Sequence, residues 1–145
     1  MPDKDTLKRA EQDKKEGKAP STQAGEFVRK EIEHVREGKH GARSAKQAIA
    51  IGLSKARRAG VELPPPKKGS KETRKQATRD LKKGRKKSAR KSAKRSRATL
   101  GALKREGRSA ASKLALSRQA RSAAKKRSAA SRSRSAKKAA KTRKG

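Results

Sequence analysis

At 145 residues the chain has the length of one ordinary domain, but only 28% of it is apolar and Phe27 is the sole aromatic, so a packed core cannot fill that length. Lys and Arg number 47 against 13 Asp and Glu, a formal charge of +34, which a compact monomer holds only against strong self-repulsion and which points to a polyanionic partner, nucleic acid first. Cysteine is absent, excluding disulfides and thiolate metal sites, and without an apolar leader or 18 consecutive apolar residues the protein is expected to be soluble, unexported and cytoplasmic.

The charge is uneven. Residues 1–63 carry 15 Lys/Arg and 10 Asp/Glu, whereas residues 64–145 carry 32 and 3, a net of +29. Four segments follow: a charged N-terminal helix and linker (1–19), a helical hairpin (20–63), a Pro-rich linker (64–70) and a basic Lys/Arg/Ala/Ser-rich tail (71–145).

Asp5 to Glu16 reads as a short charged helix, capped by Asp5 or Thr6 and stopped by Gly17. With Leu7 and Ala10 as its only apolar contacts, it should fray when alone. After the linker Lys18-Ala19-Pro20, a second helix is predicted with Ser21 or Thr22 as cap. Its stripe is Val28, Ile32 and Val35, flanked by Ala24 and Phe27, and Gly38 ends it.

Gly38 to Arg43 is a short basic connection, which predicts an antiparallel pairing with the third helix, Ser44 to Gly60. There Ser44 and Gln47 are spaced for a capping box, and Lys55, Arg57 and Arg58 lie at the carbonyl end with Gly60 as stop. Ala45, Ala48, Ile49, Gly52, Leu53 and Ala56 share one face, while Ile51 points nearly opposite and calls for a second neighbour. Val61 is placed to fold back on the last turn, and Pro64-Pro65-Pro66 forms a stiff extended stop. Ten larger aliphatic or aromatic side chains between residues 5 and 63 leave the hairpin marginal unless it self-associates or binds a ligand.

From Lys67 onward there is no proline, aromatic, Val or Ile. Such a composition cannot offset ordering entropy by burial, yet Ala, Lys and Arg favour helix. The expected fold class is therefore all-α: a small helical hairpin followed by a low-complexity basic tail, partly disordered or conditionally helical. Helical patches are predicted near Lys71–Lys83 and Ala98–Lys126, the latter with a thin stripe of Leu100, Leu103, Ala110 and Leu114 weakened by Gly101 and Gly107.

The cationic tail is the strongest functional signal, because phosphate chains bind such segments by releasing condensed counterions, which needs charge density and no defined fold. Candidate phosphate contacts are Lys39, Arg43, Arg57 and Arg58 in the hairpin. In the tail they are Arg85, Lys86, Lys87, Arg90, Lys91, Lys94, Arg95, Arg97, Lys125, Lys126, Arg127, Arg132, Arg134, Lys137 and Lys138. The bland alternative is a solubilising tail, but +29 over 82 residues far exceeds what solubility needs. Base-specific or single-strand readers need side chains fixed in a groove or stacking aromatics, and neither is visible. Ser44–Arg58 as a recognition helix lacks Asn or paired Arg on an exposed face; a packing role fits it better.

Lys39, His40 and Arg43 with the amides of Ala45 to Gln47 could cradle a phosphate; the competing reading is a solvated loop closed by two glycines. His34 and His40, six residues apart across a glycine with no third His or Cys, are read as ordinary surface histidines, with no metal or other cofactor. No nucleophile–base arrangement appears among the many serines, so no enzymatic activity and no small-molecule substrate are expected. Arg132-Ser133-Arg134-Ser135 is too short for an arginine-serine segment, although phosphorylation of Ser or Thr would loosen phosphate binding.

Pro20-Ser21-Thr22-Gln23-Ala24-Gly25-Glu26-Phe27-Val28, Gly38-Lys39-His40-Gly41 and Lys46-Gln47-Ala48-Ile49-Ala50-Ile51-Gly52-Leu53-Ser54-Lys55-Ala56-Arg57 resemble a family of small basic, mostly bacterial proteins of uncharacterised function, over about Gly17 to Gly69. In composition, residues 67–145 resemble the tails of linker histones and bacterial histone-like proteins, without the proline of the former. The resemblance implies a nucleoid-associated protein. The expected function is thus non-specific nucleic-acid binding, with duplex DNA compaction by phosphate neutralisation favoured. The alternative is an RNA-binding or ribosome-associated basic protein. Membrane binding is disfavoured because the tail has no aromatic anchors, and a homo-oligomer through 20–63 is a further expectation.

Overall fold

The computed structural model describes residues 3–86 and 92–144, and these form seven α-helices with no strand among them: α1 (Lys4–Lys15), α2 (Pro20–Arg36), α3 (Ala45–Arg58), α4 (Lys71–Arg85), α5 (Ala93–Lys104), α6 (Lys113–Lys125) and α7 (Ala129–Lys144), with a single 3-10 turn at Ser109–Ala111. Serines start most of them. Ser44, Ser70, Ser92 and Ser112 each take an amide of the first turn on the side-chain oxygen, from Gln47 (3.2 Å), Thr73 (3.1 Å), Arg95 (3.4 Å) and Ala115 (3.1 Å), and Ser128 does the same for Ser131 (3.1 Å). Gly17, Gly38 and Gly60 stop α1, α2 and α3 in left-handed geometry, at φ of +73°, +76° and +103°.

Local details depart from the sequence reading in instructive ways. α2 begins one residue before its predicted caps, with Pro20 in the first turn, where a missing N–H costs no hydrogen bond. The Gln47 carboxamide reaches back one residue further than a capping box requires and accepts from the Arg43 amide at 2.6 Å. Val61 does fold back: its amide bonds the Ala56 carbonyl at 3.0 Å and its side chain is buried beside Ala56.

α3 is the central helix. α2 packs along one side of it, α4 along another, and the 3-10 turn and α6 close on its first half. Ile51, on the side away from the α2 contact face, is half-buried. The crossing of α2 and α3 is close because Gly52 has no side chain there; a Cβ would stand 2.6 Å from Val28 Cα. Two apolar clusters result. Ala10, Ala24, Phe27, Ala56 and Val61 join α1 to the hairpin. Ile32, Val35, Ala42 and Ala48 pack with Ala110 and Ala111 from the rear portion, with Leu116 partly buried against them. The hairpin that looked marginal alone thus draws core from its own chain.

The tail, expected to be partly disordered or conditionally helical, forms four α-helices joined by short connections among its described residues, which corrects the disordered part of that reading. Good helix formers repeatedly started by serine caps make short helices without deep burial. α4 matches its predicted start, and Ala77 and Asp80 are buried against α3. The long second patch is not continuous. Between α5 and α6 the chain leaves helix so that the Leu103 and Gly107 carbonyls can accept from the Gly41 and Ala42 amides, at 2.8 and 3.1 Å. The predicted leucine stripe is consequently broken, with Leu100 and Leu114 exposed and Ala110 buried.

Asp80, fully buried, anchors α4: its Oδ1 accepts from Arg58 Nε at 2.9 Å and Gln76 Nε2 at 3.1 Å. Asp80→Ala is expected to cost about 2 kcal/mol in urea unfolding, below the usual cost of breaking a buried pair because Arg58 is half in water. A loss under about 0.5 kcal/mol would mean that α4 is held by apolar contact alone.

Candidate nucleic-acid interface

The carboxylates are concentrated at the front, and most of them are paired there. Lys30 holds Asp3 at 3.2 Å, Lys18 bridges Asp13 and Glu16 at 2.8 Å each, and Arg85 grips Glu62 at 3.0 Å. These bonds keep the Asp3, Glu16 and Glu62 carboxyls below their ordinary range, chiefly through hydrogen bonds from Lys30, Lys18 and Arg85 respectively. Among the described residues no Lys or Arg beyond Arg85 has a side-chain carboxylate within 4.0 Å. Most of the rear charge is therefore available to a partner.

That charge is presented in three ways. α4 turns Ala77 and Asp80 inward, so Lys71, Arg74, Lys75, Arg79 and Lys82 lie exposed on its outer side, and the first four line a shallow groove with Thr78. A second groove opens where α6 returns to the start of α3, lined by Arg43, Ser44, Lys46, Arg118, Gln119 and Ser122 among others. Beyond it, α7 carries seven Lys/Arg and no acid, and every residue of it but Ser131 is exposed.

The predicted contacts divide accordingly. Arg57 is not free: burial lowers its guanidinium's proton affinity, and it donates to the carbonyls of Leu63 (3.1 Å) and Pro64 (3.2 Å), fastening the chain that leaves α3. Arg58 pairs with Asp80, Arg85 with Glu62, and Lys39 with Glu37 at 3.2 Å. Arg43, Lys86, Lys94, Arg95, Arg97, Lys125, Lys126, Arg132, Arg134, Lys137 and Lys138 are exposed, as is Arg127, which donates to Ser131 and Ser135. Lys87, Arg90 and Lys91 lie outside the described residues.

The proposed phosphate cradle loses His40. The ring is buried, with Nε2 3.0 Å from Glu31 Oε2 and Nδ1 2.9 Å from the Gly41 carbonyl, and His34 lies against Glu31 as well. Neither histidine is an ordinary surface residue, contrary to the expectation from spacing, because Glu31 sits one helical turn before His34 and the loop returns His40 to both. Sequence reasoning also missed the α4 stripe, although cations at 71, 74, 75, 79 and 82 opposite Ala77 were a readable signal. Nothing local could have brought Arg118 to Arg43 and Lys46.

Among the described residues no helix is long and apolar enough to cross a membrane. Residues 3–68 match a family of unknown function (DUF6496), a span that takes in α1 to α3 and stops before α4. Comparison with curated proteins and with solved structures returns no match.

Proposed function

We propose that the protein is a non-enzymatic, nucleoid-associated DNA-binding protein that neutralises and compacts duplex DNA without reading its sequence. The observation that carries this reading is that, among the described residues, the Lys and Arg beyond Arg85 are exposed with no side-chain carboxylate within 4.0 Å, and that the ordered basic stripe of α4 precedes them. Self-repulsion among such charges is relieved when phosphates replace condensed counterions. α3, covered by α2, α4 and α6, supports the surface and does not itself enter a groove.

The test is fluorescence anisotropy with two unrelated 30-base-pair DNA duplexes and a matched RNA duplex, across a salt series. Both DNA sequences should bind within a factor of about three of one another, with log affinity falling linearly in log salt. Arg74→Glu with Arg79→Glu should weaken both about tenfold or more near 0.15 M salt, since each lost phosphate contact removes nearly one counterion from the slope. No binding at that salt, or tight selection of one DNA sequence, overturns the reading; preference for the RNA duplex replaces it with the ribosome- or RNA-associated alternative.

A further inference from the structure

Glu31, His34 and His40 take no part in the basic surface, yet they form a cluster in which Glu31 and His40 are buried and His34 is half-buried. We propose that they are the ligands of a divalent cation of borderline softness, with Zn²⁺ as the reference case. Glu31 and His34 stand three residues apart on α2, and the left-handed Gly38 turns the chain so that His40 comes back over both. Glu31 Oε2 lies 3.0 Å from His40 Nε2, Glu31 Oε1 lies 3.6 Å from His34 Nδ1, and all the donor atoms fall within 4.8 Å of one another. Bonds of about 2.0–2.1 Å at tetrahedral angles place ligand atoms about 3.3 Å apart. These two separations are to different oxygens of Glu31; with one ligand atom from each residue every pair lies within 4.8 Å, so no pair needs to close by more than about 1.5 Å.

The surroundings of the cluster orient the ligands. His40 Nδ1 faces the Gly41 carbonyl at 2.9 Å, an acceptor that suits an Nδ1–H tautomer, and Nε2 is directed at Glu31. His34 Nε2 faces Asp3 Oδ2 at 3.6 Å. A carbonyl behind one imidazole and a carboxylate behind the other are the partners that fix metal-bound histidines. Two nitrogens and one carboxylate oxygen suit zinc better than magnesium or calcium, which take oxygen. Lys55 is the rival: its ammonium bonds Glu31 Oε1, but its side chain is one-third exposed and therefore has water beside it as an alternative. A bound cation would stiffen the loop whose Gly41 and Ala42 amides hold the α5–α6 connection.

The experiment titrates the full chain with Co²⁺, followed by the visible absorption of a tetrahedral cobalt ion and by calorimetry, then displaces it with Zn²⁺. One equivalent should bind. His34→Asn and His40→Asn should abolish the visible bands, since the chain has two histidines and no cysteine. Asp3→Asn, a surface change that leaves the core intact, should weaken Zn²⁺ binding about tenfold, whereas Lys55→Gln should tighten it by removing the rival. Absence of one-equivalent binding in wild type and in Lys55→Gln overturns the proposal even if the His40 variant fails to fold. So does binding that Asp3→Asn and His34→Asn leave unchanged.

Discussion

Truncating the chain after Ser128 is expected to lower affinity for duplex DNA by at least a hundredfold near 0.15 M salt while leaving the thermal melt of the remaining helices unchanged. α7 carries seven Lys/Arg, and only Ser131 in it is even partly covered, so its removal takes away charge and almost no packing. If all seven meet phosphates, the slope of log affinity against log salt should fall by about 6. The cations lie at positions 132, 134, 137, 138, 141, 143 and 144, which distributes them around the helix and gives it no single binding face. Duplexes of different sequence should therefore lose affinity alike. Salt-series anisotropy with the truncated and full chains measures this directly, beside circular-dichroism melts of both. A drop of less than tenfold would place the binding energy in the folded body, on α4 and the groove between α3 and α6.

Gly41→Val is expected to be the most damaging single substitution in the loop, at about 3 kcal/mol or more in urea unfolding. A Cβ at residue 41 would lie 1.9 Å from the Glu106 carbonyl oxygen and 2.3 Å from its carbon, both backbone atoms that cannot swing aside. Relief requires the loop to withdraw from the α5–α6 connection. That breaks the amide bonds from Gly41 to Leu103 and from Ala42 to Gly107 and uncovers Ala110 and Ala111, buried at 5% and 1% exposure. Arg36, which donates to the Ala111 carbonyl at 3.0 Å, loses its partner as well. Hydrogen exchange should show the amides of 41 and 42 and the 109–116 segment opening together, with α1 and α2 least affected. Protection unchanged in 109–116 would show that the rear portion does not depend on this contact. Gly84 makes a similar approach, its missing Cβ standing 2.0 Å from the Arg57 carbonyl oxygen, so α3 meets α4 through Gly84 as it meets α2 through Gly52.

Several elements were legible because their signals are local. Ser44 and Gly60 bound α3, Gly38 ends α2, α4 begins at the predicted Lys71, and the apolar positions of α2 and α3 face each other as their spacing requires. The rear helices were underestimated because composition treats Ser92, Ser112 and Ser128 as filler, whereas each starts a helix. The exposed cations of α5 to α7 were read from charge density alone. Arg57 was misjudged because a cation in the last turn of a helix is usually solvated, and here the chain after Gly60 doubles back over it.

The sequence by itself determined an all-helical chain with its acid at the front and its positive charge behind, since caps, stops and charge are properties of neighbouring residues. Tertiary structure alone decided which cations stay free, that Glu31 gathers His34, His40 and Lys55, and that residues 105–112 leave helix to meet the loop at Gly41. The physical reason is that most of these depend on groups distant in sequence, side chain or backbone, coming within hydrogen-bonding distance. Such approaches are fixed by where α2, α3 and α4 can pack through Gly52 and Gly84 and where the loop can meet the α5–α6 connection through Gly41, and no periodicity records them.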